Sequence, residues 1–217
     1  MNRRSFMGAA GAMAVGLGLG GTALAARESA ALPPPPSGTG KSLEDALRAR
    51  QSQRAYADRE LSDEVLSGLL WAAFGVNRSA TGGRTAPSAR DRQEIEVHVT
   101  RRDGHYLYDA KKHALVKQGG GDIRALTGLQ GYVAAAPVNL VYVADMEKAA
   151  GSGAEEKLLL AAADTGFISQ NVYLYCAVNG LATVVRAMID TAALAVAMGL
   201  AGGRRVMLAQ CVGYPKG

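Results

Sequence analysis

The sequence predicts an α+β fold: one domain built on a mainly antiparallel sheet packed with helices, one of them long, central and buried. Three observations carry this. Ile95, Val97 and Val99 alternate with Glu96, His98 and Thr100, the period of a half-buried strand, and Asp103-Gly104 turns the chain into a second strand over 105–108. Val138 to Val143, apolar but for Asn139, reads as a buried central strand. From Ala154 to Leu181 apolar residues recur at helical spacing on most sides, so this helix has to be covered, and Gly180 suits its end.

From the N-terminus, Arg3 and Arg4 open a Tat-type export signal, expected over 1–25. Asn2-Arg3-Arg4-Ser5-Phe6-Met7 precedes a Gly/Ala-rich apolar run, and Ala23-Leu24-Ala25 is a small-x-small site with cleavage expected after Ala25. The expected destination is the periplasm, through the Tat export machinery. The run has about the minimum spanning length, roughly 18 residues, and is too glycine-rich for a good membrane span. Residues 26–41 read as a proline-rich linker, with four consecutive prolines from Pro33 to Pro36, and the folded domain is expected over 42–217.

Ser42-Leu43-Glu44-Asp45 resembles a capping box and starts a short helix that ends near Arg50. A second helix starts at Ser62, with Asp63 and Glu64 at its positive end, Leu61 and Leu66 as a hydrophobic staple, and Val65, Leu66, Leu69, Leu70 and Ala73 on its core face. Asn77 to Arg92 reads as a long Gly-rich loop, of the kind that carries binding function. A short extended segment is expected around Leu115 and Val116, a last helix over 190–198 and a last strand over 205–212.

Several functions are excluded. Lys and Arg number 24 against 19 Asp and Glu, and no basic run interleaved with aromatics appears, so nucleic acid is not an expected partner. Gly16, Gly18 and Gly21 satisfy GxGxxG but have no strand before them; Gly40-Lys41-Ser42 ends like a phosphate loop, but Pro35 stands where its first glycine belongs. His98, His105 and His113 lack ligand spacing, so no metal is expected. Cys176 and Cys211 sit in apolar surroundings and read as buried thiols, although an exported protein could also pair them. Tyr173 and Tyr175 read as packing residues with hydrogen-bonded hydroxyls.

The chemistry begins at Arg50-Gln51-Ser52-Gln53-Arg54. Two guanidiniums and a hydroxyl fall within five residues where a helix gives way to extended chain, and alternation turns Arg50, Ser52 and Arg54 to one side as a phosphate grip. Taken alone, such a basic helix end more often faces water. The same chain also carries Arg84-Thr85-Ala86-Pro87-Ser88-Ala89, Asp164-Thr165-Gly166 leading to Gln170-Asn171, Gly180 through Ala187, and Gln210-Cys211-Val212-Gly213-Tyr214-Pro215-Lys216.

In this order and spacing, over about Leu43 to Lys216, the pieces resemble the nitroreductase family of FMN-dependent oxidoreductases. The likeness is greatest to short members similar to the thiazoline and oxazoline dehydrogenases. The resemblance implies a homodimer binding FMN, which passes two electrons through flavin N5 to a small acceptor such as a nitroaromatic or quinone. NAD(P)H is the donor common in the family, while no nicotinamide-binding motif stands in this chain. The resemblance further implies that Arg50, Ser52 and Arg54, with Gln51 between them, hold the FMN phosphate and ribityl end. Pro87, Ser88 and Ala89 match a loop that covers the partner subunit's flavin. Val185, Arg186 and Ala187 match a segment that aims backbone groups at flavin N5 and O4, and the Arg186 cation would favour negative charge on the reduced ring. Lys216 matches a late basic phosphate contact.

The chain departs from the pattern at two places. Asp91, Glu94 and Ile95 stand where many members have Asn and then Pro-Trp; Ala187 and Met188 stand where many have a Gly-Gly pair, which narrows the expected acceptor pocket. No acid, base or nucleophile constellation stands out, so no side chain is assigned a catalytic role. A flavin-holding electron relay without NAD(P)H turnover and a peptide-azoline dehydrogenase remain the alternative readings.

Overall fold

A computed structural model describes residues 27–38 and 40–217; the expected export signal, with Arg3 and Arg4, lies outside the described residues. In chain order the elements are β1 (Ser29–Ala31), α1 (Leu43–Ala49), α2 (Asp63–Phe74), β2 (Val76–Arg78), β3 (Gly83–Arg84), β4 (Ile95–Arg101), β5 (Gly104–Asp109), β6 (Ala114–Gly119), β7 (Val138–Asp145), α3 (Ala154–Val178), β8 (Ala182–Arg186), α4 (Thr191–Ala197) and β9 (Arg204–Gly213). Seven strands form one sheet in the order β1-β6-β5-β4-β7-β9-β8, every pair antiparallel. The apolar run at 138–143 is its central strand β7, buried at every residue.

The sheet is covered on both faces. Leu140, Tyr142, Val97, Val99 and Val212 pack against α2 and α3, while Val141, Val143, Val206 and Ala209 pack against Leu194 and Met198 around α4. Burying a Leu or Val side chain contributes about 1.5–3 kcal/mol, so the two layers supply most of what holds the sheet. Gln210 ties the layers together. Fully buried on β9, it accepts from the Tyr142 hydroxyl at 2.6 Å and donates to Thr183 Oγ1 at 3.0 Å and to the Ser169 carbonyl of α3 at 3.4 Å.

The helices begin and end where local chemistry dictates. Ser42 and Asp45 close a reciprocal capping box on α1, and Ser62 caps α2 with Leu61 and Leu66 both buried behind it. Helix α3 is 25 residues long and ends at Asn179; Gly180 takes φ +66°, a conformation that costs a side-chain-bearing residue about 1 kcal/mol. Asp190 caps α4 by accepting from the Ala193 N–H. The inward face of α3 is buried, but Leu159 and Phe167 on its outer side are 68% and 48% exposed in the single chain.

Three expectations change. Strand β4 is buried on both faces rather than half-buried. Its polar residues form their own network, with His98 Nδ1 2.9 Å from His105 Nε2 and Glu96 paired to Arg204 at 3.0 Å. Alternation reports period two but not what covers the polar side. The expected loop from Asn77 to Arg92 contains the β2–β3 hairpin. The expected linker is also partly structure: Ser29–Ala31 adds the edge strand β1 to β6, and Leu32 packs on the core. Cys176 and Cys211 are buried free thiols, and burial pushes both pKa values up.

The proline tract is pinned at its start. The Ser67 hydroxyl donates to the Pro33 carbonyl at 2.5 Å, and His113 Nε2 lies 2.8 Å from Ser67 Oγ and 3.1 Å from the same carbonyl, with Tyr108 OH 2.8 Å from His113 Nδ1. Ser67→Ala leaves His113 as the sole partner of that carbonyl. The expected loss is about 1–2 kcal/mol, read as a lower denaturant midpoint with an unchanged slope; an unchanged midpoint would mean that the pin contributes nothing.

Candidate functional site

The Arg50–Arg54 segment leaves α1 through Arg50, the C-cap, whose ψ of 119° turns the chain extended. It then runs along the free edge of β8: the Gln53 N–H donates to the Thr183 carbonyl at 2.9 Å, Tyr56 pairs with Pro215, and the Lys216 N–H donates to the Ala55 carbonyl at 3.1 Å. The C-terminal tail therefore stands beside the segment, which puts Lys216, exposed, in the same neighbourhood.

Tyr173 of α3 organises this end. Its hydroxyl lies 2.9 Å from Ser52 Oγ and accepts from the Val185 N–H at 3.0 Å, while the Arg50 guanidinium stands 5.5 Å from its ring centroid. When the Tyr173 hydroxyl donates its hydrogen bond to Ser52 Oγ, the Ser52 hydroxyl is free to donate to an anion. Among the described residues neither Arg50 nor Arg54 has a carboxylate partner, and Ser52 and Arg54 are exposed. Gln51, Gln53, Tyr173 and Thr183 line an adjoining cavity of about 180 Å³.

Pro87, Ser88 and Ala89 are elsewhere. The Ala89 N–H donates to Asp164 Oδ2 at 2.8 Å, and the Ser88 hydroxyl accepts from the Gln93 N–H at 2.9 Å. Asp164 and Tyr173 are on the same helix, nine residues apart, which at 1.5 Å per residue separates their backbones by roughly 13 Å along the axis. One chain thus brings together Arg50, Ser52, Tyr173 and Val185, and holds Pro87–Ala89 apart from them.

Arg186 departs from expectation. The β8–β9–β7 register places it with Val184, Cys211 and Asn139 on the sheet face opposite Tyr173. There it is 6% exposed, Nη2 donating to Thr127 Oγ1 at 2.6 Å and Asn139 Oδ1 at 2.9 Å, with no partner for Nε and Nη1 among the described residues; burial lowers its pKa. Its cation therefore does not lie on the Tyr173 side. Ala187 and Met188 are exposed, Met188 at 61%. Asp91 is exposed and accepts from Gln93 Nε2 at 3.0 Å. The Tyr173 bridge and the Asp164 anchor were not assigned roles in the sequence reading, although an aspartate inside so apolar a helical pattern is a signal of the second.

A sequence model of the nitroreductase family matches residues 47–214, which includes both the Arg50–Arg54 segment and the Pro87–Ala89 turn. The chain belongs to the nitroreductase family. Within it, the chain is 34% identical over 152 residues to "Putative nitroreductase MJ1384" of Methanocaldococcus jannaschii, covering 65% of this chain and 76% of the relative. A nitroreductase-family crystal structure from Ralstonia eutropha JMP134 superposes with a TM-score of 0.84 at 37% identity, over 89% of this chain and 92% of the other. One from Desulfovibrio desulfuricans, solved in complex with FMN, shares the fold at a TM-score of 0.59 and 24% identity, over 82% and 88%.

The Tyr173 bridge is testable by itself. Tyr173→Phe keeps the ring and removes the partner of the Val185 N–H and of Ser52, with an expected loss of about 1–3 kcal/mol in denaturant unfolding. A variant as stable as the parent would show that the bridge carries no energy.

Proposed function

We propose that this nitroreductase-family protein is an FMN-dependent oxidoreductase acting as a homodimer, each flavin held by Arg50, Ser52 and Arg54 of one chain and covered by Pro87–Ala89 of the other. The observation that carries the reading is a pair of guanidiniums without carboxylate partners, flanking a serine hydroxyl fixed by Tyr173. That donor set suits a phosphate monoester: two planar cations, one neutral hydroxyl and no nearby anion to repel it.

FMN, when bound, supplies the redox chemistry, taking two electrons from a donor and passing them to a small acceptor. The chain supplies position. Arg50 and Arg54 anchor the phosphate, Ser52 adds a donor whose direction Tyr173 sets, and Lys216 adds positive charge from the tail. Ser52 and Arg54 are exposed in the single chain, which leaves the grip open to contact with a second copy. The exposed Leu159 and Phe167 on α3 supply apolar surface for that contact. We also infer export in folded form through the Arg3-Arg4 signal, to the periplasm.

A relay that holds flavin without NAD(P)H turnover is favoured by Met188, a 61% exposed side chain just beyond the end of β8, where the Met188 carbonyl accepts from the Leu129 N–H. Reduction of the flavin-loaded protein by NAD(P)H distinguishes the two. The flavin site itself is tested by Arg50→Ala combined with Arg54→Ala. Two charge-assisted contacts worth about 1.5–3 kcal/mol each correspond to at least about a hundredfold loss of FMN affinity in a fluorescence titration. Parental affinity in that double variant would overturn the phosphate assignment.

A further inference from the structure

Glu94 is the residue the proposed chemistry leaves unexplained. It is 1% exposed at the start of β4, and neither carboxylate oxygen has a donor among the described residues. Asp164, 3% exposed, stands close enough for a carboxyl–carboxylate hydrogen bond, and its Oδ2 already accepts from the Ala89 N–H. Two ionised carboxylates have only acceptors to offer each other, so contact between them is favourable only as an acid–anion pair. Burial, and after it Asp164, pushes the Glu94 pKa well above the usual carboxylate range against the pull of its own backbone.

The turn between these two acids is strained. Arg90, Asp91 and Gln93 adopt φ of 53°, 52° and 50°, and each non-glycine residue in the left-handed region costs about 1–2 kcal/mol. Such a turn persists only where its surroundings over-determine it. Here the ties are Asp164 on the Ala89 N–H, Ser88 on the Gln93 N–H, and Arg84 Nε on Gln93 Oε1 at 2.8 Å. No cation relieves Glu94. Arg84 is committed to Gln93 and to the Phe74 carbonyl, Lys157 of α3 to the Met146 carbonyl, and Arg90 and Arg92 are exposed. Asp145 of β7 gives its N–H to the Glu94 carbonyl, but its carboxylate pairs with Lys148.

We propose that Glu94 holds a proton that it donates to Asp164 as a hydrogen bond, and that this bond latches the strained Ser88–Gln93 turn in the shape that covers the flavin of the partner subunit. Asp164 is then a positioning residue and Glu94 its proton-bearing brace; the flavin half of the proposal rests on the shared-site reading above. The sign follows from the raised Glu94 pKa. The closed turn binds the Glu94 proton more tightly than the open turn, so closure is strongest below the ordinary carboxylate range of about 4, weakens by about tenfold per pH unit as pH rises toward the titration of Glu94 in the closed turn, and is level above it.

The protection factor of the Ala89 amide against hydrogen exchange, corrected for intrinsic base catalysis and followed from mildly acidic to mildly alkaline pH, reads the latch in the dimer. The expected parent profile falls across the acidic range and flattens near neutrality. Glu94→Gln keeps a donor and an acceptor but nothing that titrates, so it should lose the fall; Asp164→Asn leaves Glu94 buried and should shrink the fall without removing it. A parent profile without a fall, or the same fall in the parent and both variants, overturns the latch. FMN affinity measured over the same pH series should weaken in parallel in the parent and stay level in Glu94→Gln. A pH-dependent latch with pH-independent FMN affinity would overturn the flavin half of the proposal and with it the placement of this turn over the cofactor.

Discussion

The rigidity of α3 is the constraint on which the site depends. Tyr173 near one end of this helix fixes Ser52 and Val185, and Asp164 nearer the other fixes Ala89. A hydrogen-bonded helix does not shorten, so side-chain movement within one chain does not join two features spaced roughly 13 Å apart along it. The sheet holds the helix in place between them: Gln210, bound by Tyr142, donates to the Ser169 carbonyl, at a position between Asp164 and Tyr173. In the proposed site the grip and the turn that meet at one flavin come from two copies of the helix.

The sheet order explains why the grip lies where it does. Strand β8 ends the sheet, and an edge leaves backbone groups open to pairing with another chain. Here the edge is closed by local groups: Tyr173 takes the Val185 N–H, and Gln53 donates to the Thr183 carbonyl. The segment that blunts the edge is the one that carries Arg50, Ser52 and Arg54, so sheet protection and the proposed phosphate grip share one stretch of chain. On the far face of the same strand, Arg186 with its two unpartnered nitrogens is a buried cation held by Thr127 and Asn139.

Much of this was legible in the sequence. Ser42, Ser62 and Gly180 mark helix ends through local hydrogen bonding and backbone conformation, and 138–143 reads as a central strand because Asn139 is its one polar residue. The Arg-x-Ser-x-Arg spacing exposes the grip because guanidinium chemistry is carried by residue type. What the sequence hid depends on which face a residue takes and what meets it there. The Arg186 cation was expected to favour negative charge on the reduced flavin, and only the register against Ala209 of β9 shows that its side chain takes the sheet face opposite Tyr173. The polar side of β4 reads as solvent-facing until His98 meets His105 and Glu96 meets Arg204. Ser29–Ala31 has no strand signature of its own; it becomes a strand because β6 offers an edge.

Complementation between two defective chains tests the shared site most directly. One chain carries Arg50→Ala with Arg54→Ala; the other carries Ser88→Pro with Ala89→Pro, which removes the Ala89 N–H bonded to Asp164. Alone, each should form dimers with little FMN bound. Unfolded and refolded together, mixed dimers contain one site with an intact grip from one chain and an intact turn from the other, so FMN binding should return in the mixed species at one flavin per dimer. Mixed dimers that bind no more FMN than either parent would contradict the account, and so would full FMN binding by the turn variant alone.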